Sequence, residues 1–260
     1  MQLGCFCYLL RHTDKDVKDI LGSLDSLYQN FLKDFSYPIY IFHEQELTLD
    51  MQKSIITFAQ KNKIRLYLRC LKFNVPKKGA EKLKGFKLGY SHMCQFFAAK
   101  IFNRPELQAY TYYCRLDSDS RILSPIKYDI FKYMETNSYQ YGFITLEQDK
   151  IQYSSGLWSV IKTWIRQHHV TPLQVPFAAI KEGVCYYTNF ELCKISWFKQ
   201  GYWLPYIDTI LKDGGIYRER WGDHTIRYLG LLLFMPAKYI HQFLDIHYLH
   251  HKEYNRPHRK

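Results

Sequence analysis

Apolar positions in the N-terminal part of the chain switch repeatedly between continuous runs and a helical repeat. Leu3–Leu10 is the first run, and beyond it Val17, Ile20, Leu21, Leu24, Leu27 and Phe31 recur at helical spacing. That pattern predicts a buried strand followed by an amphipathic helix, with Asp14 standing where the helix needs an N-cap. Residues 38–42 (Pro-Ile-Tyr-Ile-Phe) form a second run, Leu49–Asn62 a second amphipathic stretch carrying Met51, Ile55, Ile56 and Phe58, and Ile64–Cys70 a third run. Strands alternating with helices in this way predict an α/β fold, a mainly parallel, right-handed sheet with helices on its faces.

Tyr90–Phe102 has the length and apolar content of a buried helix, stopped by Pro105. Tyr110–Leu116 is rich in strand-forming aromatics and runs directly into Asp117, Ser118 and Asp119. Open α/β sheets bind ligands at that carboxyl edge. Further on, the pattern predicts a strand at Tyr141–Thr145 and helices at Leu157–Gln167, Phe190–Lys199, Tyr202–Leu211 and His224–Phe234. Neither an internal repeat nor a low-complexity linker divides the chain, so 1–260 reads as a single domain.

Composition narrows the class. The 260 residues carry 36 Lys+Arg against 24 Asp+Glu, a formal charge of +12, which favours an anionic partner. Aromatics at 17% exclude a disordered or collagen-like chain. No apolar run approaches the ~20 residues that cross a bilayer, and the longest, Leu229–Met235, is ended by Pro236. The N-terminus has neither a basic leader nor a small-residue cleavage site. The seven cysteines are scattered without Cys-x-x-Cys spacing, as reduced thiols are. The expectation is a soluble, cytoplasmic protein with no integral membrane segment. Lys72–Lys87, the densest basic stretch, holds Pro and Gly and reads as a solvated loop. The competing reading is a nucleic-acid patch built on Lys77, Lys78, Lys82, Lys84 and Lys87.

Four groups of residues could carry chemistry. In an extended segment Asp117 and Asp119 point the same way and can share a hard cation such as Mg²⁺ or Mn²⁺. An Asp-x-Asp is common, and Asp14-Lys15-Asp16 is a second instance better explained by helix capping. His247, His250 and His251 near the C-terminus offer imidazoles to Mn²⁺-like ions or are simply exposed. Glu219, Arg220 and Asp223 follow Gly214-Gly215, where Asp223 can cap the next helix and the others can line a pocket. Glu191, a lone acid among aromatics, is either a base or nucleophile or an ordinary helix-surface acid. The Walker loop, the Gly-x-Ser-x-Gly elbow, the His-Glu-x-x-His helix and paired Cys-x-x-Cys are all missing from the sequence, which removes P-loop NTPases, α/β-hydrolases, zincins and zinc fingers.

Taken together, several strings resemble the KTR-type α-1,2-mannosyltransferases of fungi, glycosyltransferase family 15. Residues 90–97 (Tyr-Ser-His-Met-Cys-Gln-Phe-Phe) resemble the family's Tyr-x-x-Met-Cys-Arg-Phe block, and 112–119 (Tyr-Tyr-Cys-Arg-Leu-Asp-Ser-Asp) its Tyr-Trp-Arg-x-Glu-Pro-Asp. Residues 188–191 resemble Ser-Asn-Phe-Glu, 214–223 resemble Gly-Gly-Phe-Tyr-Tyr-Glu-Arg-Trp-Gly-Asp, and 245–250 resemble Asp-Ile-Gly-Tyr-x-His. The blocks follow the family's order.

The resemblance implies a GT-A type glycosyltransferase fold, a mixed, mainly parallel sheet flanked by helices. It implies a Rossmann-like, nucleotide-sugar-binding half over 1–125 and an acceptor-binding and catalytic half over 126–260. The activity it implies is retaining, Mn²⁺-dependent transfer (Mg²⁺ being the other candidate ion) of mannose from GDP-mannose to a glycan or glycoprotein. Another nucleotide sugar, such as a UDP sugar, is the alternative donor, and nucleic acid is not expected as a partner. By position, Asp117, Asp119 and His250 match the metal and diphosphate ligands. Glu191, Tyr90 and Asp223 match catalytic residues, and Arg11, Tyr90, Asp117 and Arg220 fall at the donor nucleotide. Ser118 replaces the family's proline between the two acids.

Overall fold

The computed structural model describes residues 2–74 and 88–251 and the backbone of a strand at 253–255. Lys77, Lys78, Lys82, Lys84 and Lys87 lie outside the described residues. The chain opens with β1 (Gln2–Leu10), α1 (Asp14–Leu27), β2 (Ile39–His43), α2 (Leu49–Lys61) and β3 (Leu66–Cys70), as the periodicity predicts. Then come α3 (Leu88–Ala98), β4 (Tyr110–Leu116), β5 (Ser120–Ile122), α4 (Ile130–Thr136), β6 (Tyr141–Phe143), β7 (Leu146–Gln148) and α5 (Leu157–Gln167). The remainder is β8 (Val184–Tyr186), β9 (Phe190–Lys194), α6 (Trp203–Asp213), α7 (Gly215–Arg218), α8 (Asp223–Phe234), β10 (Ile240–Gln242), β11 (Tyr248–His250) and β12 (Glu253–Asn255).

Among the described residues the main sheet has seven strands in the order β10-β6-β9-β4-β1-β2-β3. All of its pairings are parallel except those of β9, which runs antiparallel to both β4 and β6. From β1 the chain builds outward to β2 and β3, then returns to place β4 on the other side of β1. The order therefore reverses between β1 and β4, the switch point at whose carboxyl ends open α/β sheets bind ligands. Arg11 follows one of those ends and Asp117 the other.

The central strands β1, β2, β4 and β9 are buried on both faces, so they read as unbroken apolar runs and not as alternating ones. On β1, Phe6, Tyr8 and Leu10 pack with Val17, Ile20, Leu24 and Leu27 of α1. Cys5 and Cys7 look the other way, toward Phe96 and Phe97 of α3. No described helix is long and apolar enough to cross a membrane.

Three local expectations are corrected. Thr13, and not Asp14, caps α1, its hydroxyl accepting from the Asp16 amide, while Asp14 and Asp16 occupy the first turn and favour the helix dipole from there. The helix expected over Phe190–Lys199 is a strand, β9, ending before a short 3-10 turn at Trp197–Lys199. A short apolar run has no decisive period, and here the empty position between β4 and β6 decides. Asp223 does not cap α8: Gly222 is the N-cap, without a side-chain bond, and the Asp223 carboxylate is used elsewhere.

Candidate active site

β4 ends at Leu116 and the chain turns at once, the Ser120 amide donating to the Asp117 carbonyl over 3.0 Å. That turn starts β5, which pairs antiparallel with β11 so that Ser120 faces His250. The register thus delivers a histidine from the far end of the sequence to the acidic pair. His250 Nε2 lies 3.1 Å from Asp119 Oδ1 and 3.6 Å from Asp117 Oδ2. His251 Nδ1 lies 2.6 Å from Asp119 Oδ2. Burial alone raises the Asp119 carboxyl, but the hydrogen bond from His250 and the charges of His250 and His251 outweigh it and hold the group at about 2.

On its other side His250 Nδ1 meets the Tyr187 hydroxyl at 2.8 Å and Asn189 Nδ2 at 3.2 Å. Asn189 Oδ1 is buried without a hydrogen-bond partner. Amide and imidazole orientations follow from the network they join. Turning the Asn189 amide over gives Oδ1 an Nδ1 proton to accept and leaves the Nε2 lone pair facing the carboxylates, the tautomer a metal needs. Carboxylate oxygens joined by an imidazole suit a divalent ion such as Mn²⁺, so the residues fit the metal that the sequence implies. Asp117, Asp119 and His250 would hold it.

Behind the acids sits Arg115, a residue the sequence reading did not single out. Its guanidinium donates from Nε to Asp117 Oδ1 at 2.9 Å and from Nη1 to Asp223 Oδ2 at 2.6 Å. It lies 3.7 Å from the Phe97 ring centroid. The Thr188 hydroxyl also donates to Asp223 Oδ2, at 2.9 Å. Burial acts to raise the Asp223 carboxyl, but the Arg115 charge, assisted by His224 and Thr188, prevails and lowers it below the usual carboxylate range. The signal was available: a basic residue two positions before Asp117 on a strand shares its face.

Arg220 and Tyr90 come together on the adjoining wall. The Arg220 guanidinium lies between the rings of Tyr90 and Tyr153, 4.4 and 4.0 Å from their centroids, and pairs with Asp149 at 3.3 Å. Asp149 also takes a 2.9 Å contact from His224 Nε2. Burial pushes the Tyr90 hydroxyl up, against the opposing charge of Arg220, so at neutral pH it is a proton donor and not a phenolate. The glycines before Arg220 are structural. Gly214 ends α6 with φ +80°, and a Cβ on Gly215 would lie 2.3 Å from the Trp221 indole.

Two expected residues stand apart from this cluster. Arg11 is at the carboxyl end of β1, its exposed side chain paired with Asp16 at 2.7 Å. Glu191 is on neither a helix nor a cleft wall. It lies on β9, opposite Arg115 of β4, and is fully buried. Its oxygens accept from Tyr113 at 2.7 Å, Tyr141 at 3.3 Å and Arg227 Nε at 3.0 Å. In this structure the Glu191 carboxylate therefore faces Arg227 and two tyrosines and is separate from the Asp117–His250 corner.

Residues 72–260 match the family model described as glycolipid 2-alpha-mannosyltransferase. The chain belongs to this family. It is 26% identical to the probable mannosyltransferase KTR4 of Saccharomyces cerevisiae over 96% of its own length and 60% of that protein's. It therefore spans about three-fifths of this relative. Among solved structures it is similar to S. cerevisiae Ktr4p in complex with GDP, with TM-score 0.87, 25% identity, and coverage of 98% of this chain and 73% of that one. The Mn/GDP form of core-mannan synthase A from Aspergillus fumigatus, 22% identical, gives TM-score 0.87 over 99% of this chain and 77% of its own. The fold is of the GT-A type.

Proposed function

We propose that the chain is a metal-assisted glycosyltransferase that moves mannose from GDP-mannose to a glycan or glycoprotein acceptor with retention of configuration. The observation that carries this reading is the meeting of Asp117, Asp119 and His250 at the point where strand order reverses, beside the buried Arg115–Asp223 pair. Family membership and the GDP complex of a relative that is 25% identical support the nucleotide. A divalent ion held by these three side chains supplies positive charge for a departing diphosphate.

The chain's own residues do the rest. Arg115 fixes one oxygen of Asp117 and so leaves the other toward His250. Arg220, clamped between two tyrosine rings, adds a fixed cation on the donor side, and Tyr90, held protonated, adds a hydrogen-bond donor. Asp223 is kept ionised by Arg115 and, through that shared guanidinium, borders the acidic corner as a catalytic candidate. Arg11, exposed beside Asp16 at the carboxyl end of β1, suits the nucleotide base or its ribose. Residues 1–125 would then form the nucleotide-sugar-binding half and 126–260 the acceptor-binding and catalytic half, from which Arg220 and His250 reach the donor and the metal.

A thermal-shift panel of GDP-mannose, GDP and UDP sugars, each with and without Mn²⁺, tests the reading. A donor at 100 times its dissociation constant stabilises the fold by about 2.7 kcal/mol. Mn²⁺-dependent stabilisation by GDP-mannose, followed by mannosyl transfer that Asp117→Ala abolishes, supports it. Stabilisation by UDP sugars alone overturns the donor, and stabilisation by none of them overturns the enzyme.

A further inference from the structure

His251 is the residue of the acidic corner that neither the motif match nor the strand pairing requires. We propose that it is a further metal ligand, a second imidazole that biases the site toward nitrogen-accepting transition dications and away from Mg²⁺. The inference rests on the metal reading of Asp117, Asp119 and His250 and deepens it.

Three observations place it there. One ligand atom each of Asp119, His250 and His251 lies within 4.8 Å of the others, a spread that one ion can span. The two imidazoles approach Asp119 on different oxygens, Nε2 of His250 on Oδ1 and Nδ1 of His251 on Oδ2, with their ring centroids 4.0 Å apart. The backbone of His251 has φ +56°. It follows β11 directly, in the two-residue link before His250's partner Glu253, where hairpin chemistry favours Asn or Gly. Residues other than glycine are uncommon in the left-handed region, histidine less so than most. Here it is the conformation that turns the ring onto Asp119.

The chemical consequence follows from ligand preference. Mg²⁺ takes oxygen ligands and keeps much of its water, so an added imidazole does little for it. Transition dications accept imidazole nitrogen readily. With only His250 the site is oxygen-dominated, whereas with His251 the two carboxylates are matched by two imidazoles.

The test uses the full chain and its His251→Gly and His250→Ala variants, without donor. Mn²⁺ binding is read from the paramagnetic resonance of the free ion, and Mg²⁺ binding from its competition with Mn²⁺. Glycine suits φ +56°, so His251→Gly should unfold at or above the wild-type temperature, which separates ligation from folding. The expected result is a Mn²⁺ affinity lowered on the order of tenfold or more, with Mg²⁺ binding unchanged and one nitrogen coupling fewer in the bound Mn²⁺ spectrum. Wild-type Mn²⁺ affinity and couplings in His251→Gly, with binding lost in His250→Ala, would overturn the proposal and leave the three-ligand site standing. Equal loss of both ions would also overturn it. If the wild-type chain binds no Mn²⁺, the underlying site fails with it.

Discussion

Arg115 and Asp223, more than one hundred residues apart in sequence, meet at 2.6 Å with side-chain exposures of 3% and 2%. Opposite charges shut away from water depend on each other, because breaking such a pair leaves a buried charge short of its partner. Asp223→Ala leaves a buried guanidinium with Asp117 as its remaining acid and should cost about 3–5 kcal/mol of stability. Asp223→Asn keeps the shape and a hydrogen bond and should cost less. Urea unfolding of the two variants checks the order, and an Ala variant as stable as the Asn variant would show that the pair is not a buried one in solution.

Asp119 makes a prediction about acid. Its carboxyl sits at about 2 when folded, against about 3.9 in an unfolded chain. A folded pKa below the unfolded one adds stability that is fully present above the unfolded value and disappears as pH falls through the folded one. The metal-free protein should therefore lose stability between about pH 4 and pH 2. His250→Ala removes the imidazole that lowers the group, so the gap between wild type and variant should close across that window. Chemical denaturation at stepped pH in a chelator measures it, and a constant gap would show that His250 does not set the Asp119 pKa.

Glu191 separates a structural acid from a chemical one. Bound by Arg227, Tyr113 and Tyr141 within the core, it should act through folding. Glu191→Ala strands Arg227 and is expected to lower stability by about 3–5 kcal/mol. Glu191→Gln preserves hydrogen bonding and should retain most turnover per folded molecule. A Gln variant with native stability and kcat reduced a thousandfold would restore Glu191 to the chemistry.

The alternation of strand and helix through Cys70 was legible because buried parallel strands and amphipathic helices carry different periods. The acidic corner was legible too, since Asp117 follows an aromatic strand and the His250 motif matches its family. What failed were features decided by distant partners. Whether Phe190–Lys194 is helix or strand depends on the slot between β4 and β6, which no local pattern records. The surroundings of Glu191 were not legible either, since Arg227, which pairs with it, comes from α8. That Asp223 does not cap α8 depends on Arg115, which claims its carboxylate from β4, distant in sequence.

Arg220 tests how the donor is held. Its guanidinium is confined by Tyr90 and Tyr153 at 4.4 and 4.0 Å, and its backbone has φ +70°. Lysine carries the same charge but neither the planar group that fills a slot between two rings nor the fork that grips a phosphate. If Arg220 holds the donor in ground and transition states alike, Arg220→Lys should raise KM for the nucleotide sugar about tenfold and leave kcat within about twofold. Arg220→Ala should go further in the same direction. Loss confined to kcat, with KM unchanged, would assign Arg220 to the transition state, as a cation acting only when charge develops on the leaving diphosphate.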